Sequence, residues 1–466
     1  MRASKRWWLL LIALSLVRGL LYSAVLPPWQ GPDEAQHYEY VRLLYEKGRL
    51  VQWGDSIPAV EQEVIASMER FDFWRTGRYL QQGNTFAEVW GASSHQLHQP
   101  PLAYLFYLGA LLLAPEDIAL HFYLMRVLSV LLGVVVIVAA VIAASALRDT
   151  HPTLSWAIPA FIVFLPTYTS LSGMVNSDHL VEAAVSLVLA LWLVALKSGL
   201  SIPLTDGLVV FSLIGLLAKR TALVLLPVHL MAVVLYLRVH RPSIFSKRNI
   251  VYTLGTTGLA LGFMIWLGSR GLAWLSQRAP TVAEWLVKLY LFLPSEQFPF
   301  SPDQSYFSAE ALSRYVHYAR FLFETFWGRF ALFQVQWPLA FYVVAAGLSL
   351  VALAGLALFV GRVIRGTYQH PTWLLASLSL LAFSVVTMIV MVYANEIRRW
   401  DLGWGGWPQA RYLFVVIIPI AALFVQGWPE VVPQRYRTAW VSALLVLLLL
   451  LDTFSIAFLI IPYFYG

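Results

Sequence analysis

Trp29-Gln30-Gly31-Pro32-Asp33-Glu34-Ala35-Gln36-His37-Tyr38-Glu39-Tyr40 follows directly on an apolar run from Trp7 to Pro27. Two adjacent carboxylates and a histidine therefore leave the bilayer at its surface. Pro32 fits the first turn of a helix, where a missing N–H costs nothing. The acidic pair then sits near the positive end of the helix dipole. Gly48 after Lys47 is a suitable stop. The stretch from Pro32 to about Lys47 reads as a short helix on the membrane surface, with Asp33 and His37 on one face.

Working outward, 466 residues that are 59% apolar and 12% charged make a polytopic membrane protein rather than a soluble domain. The chain has no cysteine, which excludes disulfides, thiolate catalysis and iron–sulfur clusters. The net charge of +7 is spread over short loops, which suits membrane orientation and not a nucleic-acid surface. Residues 1–27 carry Arg2, Lys5 and Arg6 before the apolar run, and Tyr22-Ser23-Ala24 is a poor cleavage site, so an uncleaved first helix is expected.

The hydropathy pattern gives an all-α bundle of about 11 spans: 7–27, 121–147, 153–173, 178–196, 206–218, 221–238, 249–269, 338–361, 373–394, 410–427 and 438–462. Residues 100–115 are apolar but short. If they do not cross, the N-terminus, Arg148, Lys197, Arg238, Arg241, Lys247, Arg248, Arg362, Arg365, Arg435 and Arg437 all fall on one side. That is the positive-inside pattern. The expectation is one domain, 1–466, with a cytoplasmic N-terminus in a plasma (inner) membrane. It has two large extracytoplasmic loops, 28–120 and 270–337.

This topology gathers polar groups on the outer face. Asp33 and Glu34 follow the first span, and His95 and His98 precede Pro100-Pro101. Asp178 opens the fourth span, and Lys219-Arg220 interrupts an apolar stretch. Glu396, Arg398, Arg399 and Asp401 precede Arg411, which opens another span. Ionisable groups at membrane depth are costly and usually functional. Cations beside carboxylates suit a phosphate leaving group and an acid/base centre. Each group also has a plain structural use. Asp33-Glu34 and Asp178 can cap helices, and Lys219-Arg220 can snorkel to head groups. The histidines can be ordinary hydrogen-bonded loop residues, and Arg126 can pair with a head group, Glu116 or Asp117.

Gly31-Pro32-Asp33-Glu34-Ala35-Gln36-His37 is similar to a first-loop P-x-D-E-x-x-H-like element. His98-Gln99-Pro100-Pro101-Leu102 resembles H-P-P-L with Gln99 inserted, and Arg126 with Ser129 and Gly133 resembles R-x-x-S-x-x-x-G. Asp178 matches a luminal aspartate, and Ala410-Arg411-Tyr412 resembles G-R-Y with Ala410 in place of glycine. Together these resemble the GT-C superfamily of integral-membrane glycosyltransferases that use polyprenyl-phosphate sugars, in particular protein O-mannosyltransferases and aminoarabinose transferases.

The resemblance implies an inverting transfer with Asp33 as general base and Glu34 as second catalytic group. Lys219, Arg220 and Arg411 would face the phosphate, with His37, His98, Arg126, Asp178 and Tyr412 as further binding residues. The expected partners are a polyprenyl-phosphate-linked sugar, membrane lipid and a glycan, lipid or protein acceptor. A divalent metal is not required by the sequence. Oxygen ligands would favour magnesium or manganese, and histidines would admit zinc. The competing reading is a lipid or sugar transporter or flippase, which also uses broken helices and charges at membrane depth.

Overall fold

A computed structural model of the chain describes residues 5–76, 85–90, 95–114, 117–148, 153–241, 277–278, 308–367, 370–401 and 407–466. Among these, eight helices are long and apolar enough to cross a membrane, or nine if one bent pair counts as a span. The pair is Leu154–Phe164 and Pro166–Ser172, bent by 65°. The cause is local. Pro166 clashes with a helical conformation at the residue before it, and Leu165 is extended (φ −75°, ψ 110°).

Nine of the 11 expected spans thus correspond to such helices or to the bent pair among the described residues. The expected span 206–218 is Ile202–Ala218, a shorter apolar helix of 17 residues. The expected span 249–269 lies outside the described residues. Leu102–Leu113 has 12 residues, about 18 Å of helix, against the ~30 Å of a hydrocarbon core. Of the expected loop 270–337, the described part includes an amphipathic helix, Ala309–Trp327, and a two-stranded hairpin pairing Arg329 with Gln336 and Phe330 with Val335.

Two devices hold the helices close. Gly355 and Gly427 face each other where Leu339–Ile364 crosses Ile417–Gly427. A Cβ on Gly355 would stand 1.9 Å from the Gly427 carbonyl oxygen, and one on Gly427 would stand 2.1 Å from the Ala352 oxygen. Small residues let backbones approach in this way inside membranes. The second device is an ion pair between the first and last spans. Arg18 Nη1 lies 2.6 Å from Asp452 Oδ2, the Tyr22 hydroxyl donates to Asp452 Oδ1 at 2.7 Å, and Arg18 Nε donates to the Val163 oxygen at 3.0 Å. The sequence reading passed over Arg18 and Asp452, although a lone charge in an apolar span was the signal that could have found them.

Gly355→Ala is expected to destabilise the detergent-solubilised protein by about 1–3 kcal/mol, the usual cost of overpacking. Gly347→Ala in the same helix, where a new Cβ meets nothing within 4 Å, is expected to be neutral or stabilising. Thermal unfolding of the two variants side by side checks this.

Candidate functional site

The site begins where the first helix, Lys5–Val25, stops. Its last turn and the residues just after it present carbonyls without intrahelical partners, and Arg126 of the helix Ile118–Leu147 donates to three of them. Nη1 of Arg126 donates to the oxygens of Ser23 (2.9 Å) and Leu26 (2.5 Å), and Nη2 donates to that of Pro27 (3.0 Å). The remaining N–H groups reach Glu34, Nε to Oε1 at 3.0 Å and Nη2 to Oε2 at 2.8 Å. Glu34 also accepts from the backbone N–H of Gly31 (2.8 Å) and of Val175 (2.9 Å). All five guanidinium donors and all four carboxylate lone-pair positions are thus used. Both side chains are fully buried.

Two of the expected site residues, Arg126 and Glu34, are engaged with each other in this arrangement. Arg126 pairs with Glu34, and Glu116 lies outside the described residues. Asp117 instead caps its own helix through the N–H groups of Ala119 and Leu120. Glu34, expected beside Asp33 as a second catalytic group, points into the protein. Pro32 is not in the first turn either. The helix is Glu34–Lys47, and Asp33 precedes it in the left-handed region (φ 62°, ψ 14°). Aspartate tolerates that region better than most residues, yet it still costs free energy. The twist sends neighbouring carboxylates opposite ways.

Asp33 makes no cap bond to its own helix. Its Oδ2 accepts from Arg411 Nη2 at 2.7 Å. Arg411 Nε lies 3.9 Å from Asp178 Oδ2, and Lys219 Nζ lies 2.7 Å from Asp178 Oδ1. Four residues from four places in the chain therefore form one alternating network, Asp33–Arg411–Asp178–Lys219. Asp33 is its most open member, its side chain 31% exposed against 7% for Arg411 and 1% for Asp178.

Local structure explains the convergence. Lys219 is extended (φ −163°, ψ 152°) and breaks the chain between Ile202–Ala218 and a 3₁₀ turn, Arg220–Val224. Arg411 sits on another 3₁₀ segment, Ala410–Val416, and Asp178 opens the helix Asp178–Ser198. Three helical segments thus begin at this end, and their N-terminal dipoles add positive potential to the two cations. Four ionised side chains sum to zero, so the helix ends leave the site attractive to an anion.

Burial alone would raise the Asp33 carboxyl, but Arg411 beside it, with His37 and Lys219, holds it at about 2. Burial pushes the His37 imidazole down to about 3, against the pull of Asp33. His37 is therefore neutral. Its Nδ1 meets the Tyr104 hydroxyl at 3.0 Å, and its Nε2 is enclosed without a hydrogen-bond partner. Tyr104, which the sequence reading missed, also stacks on Tyr40 at 3.7 Å. A tyrosine in an apolar helix carries no pattern that marks it. Tyr412 lies beside Arg411, its hydroxyl 3.5 Å from Nη2. Arg220 lies half-buried next to Lys219. His98 ends the turn His95–His98, and its side chain lies outside the described residues. Among the described residues, no group of three or more His, Asp or Glu side chains is placed to hold a metal.

The chain is similar in fold to ArnT from Cupriavidus metallidurans. Against ArnT bound to undecaprenyl phosphate, the match has 14% identity and a TM-score of 0.48, covering 99% of this chain and 74% of ArnT. Against apo ArnT it has 14% identity and a TM-score of 0.46, covering 98% and 73%. No protein-family model matches the chain, and no curated protein matches it.

Glu34→Gln is expected to destabilise the fold by about 3–5 kcal/mol, because it leaves the buried Arg126 charge without its counter-ion. Asp33→Asn, which keeps a residue tolerant of the left-handed backbone, is expected to cost less, because Asp33 is partly exposed and Arg411 keeps Asp178 3.9 Å away. Thermal melts in one detergent compare the two.

Proposed function

We propose that the protein is a membrane glycosyltransferase that moves a sugar from a polyprenyl phosphate to an acceptor hydroxyl at the extracytoplasmic face. The observation that carries this reading is the Asp33–Arg411–Asp178–Lys219 network, with its most exposed carboxylate at the rim and its cations behind. The acceptor oxygen attacks the anomeric carbon while Asp33 takes its proton. A new C–O bond forms as the C–O bond to phosphate breaks, and the electron pair leaves with the phosphate. Lys219 and Arg411 balance that growing charge, with Arg220 beside them. Attack opposite the leaving group inverts the anomeric centre. Glu34 and Arg126 act as positioning residues, holding the Asp33 backbone in its left-handed turn.

A carboxylate held at about 2 is a weak base. In the resting protein Asp33 neutralises Arg411, and a phosphate bound beside Arg411 competes for that guanidinium. Losing this partner raises the basicity of Asp33 when the donor is present. A flippase reading would need the charges to line a path, whereas here they meet at one end of the bundle.

Radiolabelled sugar transfer from a polyprenyl-phosphate donor in purified membranes tests the reading. Asp33→Asn is expected to lower turnover by about 10²–10⁴-fold, the usual worth of a general base, with donor affinity retained or raised, since Asp33 no longer competes for Arg411. Lys219→Ala and Arg411→Ala are expected to weaken donor use about tenfold or more, the cost of a charge-assisted contact. Sugar or lipid movement without covalent transfer would favour the transporter instead.

The pH profile carries a second expectation. Asp33 works ionised, so activity falls as pH drops through its pKa. In the free protein that pKa is about 2, so kcat/KM should show no carboxylate limb above pH ~4. The limb of kcat, which reports the donor-bound state, should lie at higher pH than that of kcat/KM. Coincident limbs would mean that the phosphate does not displace Arg411.

A further inference from the structure

Lys219 sits at the tip of a helical hairpin. Ile202–Ala218 leads up to it, and the turn Arg220–Val224 with Leu225–His240 leads back. The outward face of this hairpin is apolar and open to lipid, at Val210, Leu213, Leu226 and Leu230. Its inward face meets Asp178–Ser198 through small residues. A Cβ on Gly215 would stand 3.6 Å from the Ala184 Cβ. Such a contact packs closely but sets no register, because lipid is as apolar as the side chains it replaces. Directional bonds must set the height at which Lys219 stands.

His229, which the ion network does not use, makes such bonds. The Trp192 indole donates to its Nδ1 at 2.9 Å, and its Nε2 lies 2.8 Å from the Ser212 Oγ. An indole N–H can only donate, so Nδ1 is bare and accepts. Nε2 then carries the proton and donates to Ser212, whose hydroxyl donates to the Leu208 oxygen at 2.5 Å. Each hydrogen along Trp192–His229–Ser212–Leu208 has one acceptor, which requires a neutral imidazole. One side chain thus ties three helices. Trp192 is on the helix that Asp178 opens, and Ser212 is on the helix that ends at Lys219. From Ser212 to Lys219 is about 10 Å along the helix. His240, at the inner end, meets the Leu196 oxygen at 3.0 Å and holds the returning helix alone.

We infer that His229 is a positioning residue for the proposed transfer, fixing the hairpin at the height where Lys219 meets Asp178, which rests on the transferase reading above. Lys219 Nζ reaches Asp178 Oδ1 at 2.7 Å. A lysine stem is flexible, so that ion pair alone could follow a hairpin that slid along its neighbour. The Trp192–His229–Ser212 tie removes this freedom, because it joins the helix of Lys219 to the helix of Asp178 at a second level. With both backbones held, the ammonium returns to one place between Asp178 and an incoming phosphate. A misplacement of about 1 Å at such a contact is enough to cost function.

A double-mutant cycle on binding of undecaprenyl phosphate to the full-length protein in detergent tests this role. His229→Leu, which keeps an apolar filler and breaks both bonds, is expected to weaken binding about 2- to 10-fold, the worth of one neutral hydrogen bond. In a Lys219→Ala background the same change should cost less than about 1.5-fold, because a residue that acts through another has no separate effect once that other is gone. Trp192→Phe and Ser212→Ala each remove one link with little change in packing. They should repeat the pattern at smaller size, and they carry the test if His229→Leu does not fold. A histidine with only a structural role would give equal losses in both backgrounds, or lower thermal stability at wild-type affinity. Either result overturns the positioning role. Failure of the transferase reading looks different and takes this role with it: wild type does not bind undecaprenyl phosphate, or Lys219→Ala binds it as tightly as wild type.

Discussion

The Arg126–Glu34 pair is the contact on which the geometry of the candidate site depends. One guanidinium closes the open carbonyls of the first helix and holds the first residue of the next. A buried charge pair is stabilising only when its geometry is good and its other hydrogen bonds are filled. Here no donor or acceptor is left over. Gly31 is part of the same device, since a Cβ there would stand 2.6–2.8 Å from the Glu34 carboxylate group. The loop between the two helices is thereby fixed at both ends and in its middle.

With Glu34 pinned, Asp33 has little freedom. Its peptide must join a fixed proline to a fixed helix, and it does so through a left-handed turn that aims the side chain at Arg411. The network then spans four separate parts of the chain, residues 33, 178, 219 and 411. None of its charges has an equal partner nearby on its own helix. Each relies on the bundle to bring the opposite sign within reach, so site and fold are set by the same helix packing.

Much of this was legible in the sequence, for physical reasons. Apolar runs of bilayer length and the breaks between them mark helices whatever their tertiary partners. Charges stranded in such runs, such as Lys219 and Arg411, mark a site because burial there is costly. What the sequence concealed was direction. Asp33 and Glu34 are adjacent and alike in charge, and only the backbone turn at Asp33 sends one outward and the other into Arg126. Hydropathy measures apolar content and not helix length, so it does not by itself tell a span from a shorter apolar helix such as Ile202–Ala218.

The resting charge balance bears on the order of events in the proposed reaction. Asp33 is close to a cation that it neutralises, and Asp178 holds the other side of that cation. An acceptor hydroxyl that arrived first would meet a carboxylate whose Oδ2 is bonded to Arg411 and whose basicity that charge lowers. It would find a base too weak to take its proton. A donor phosphate that arrived first would replace Asp33 as the partner of Arg411 and leave the carboxylate open at the rim, beside neutral His37. Donor before acceptor is thus the order in which the base gains strength only when the leaving group is already in place. The same arrangement disfavours unproductive proton transfer in the empty site, because without an anion from outside, Arg411 keeps Asp33 for itself.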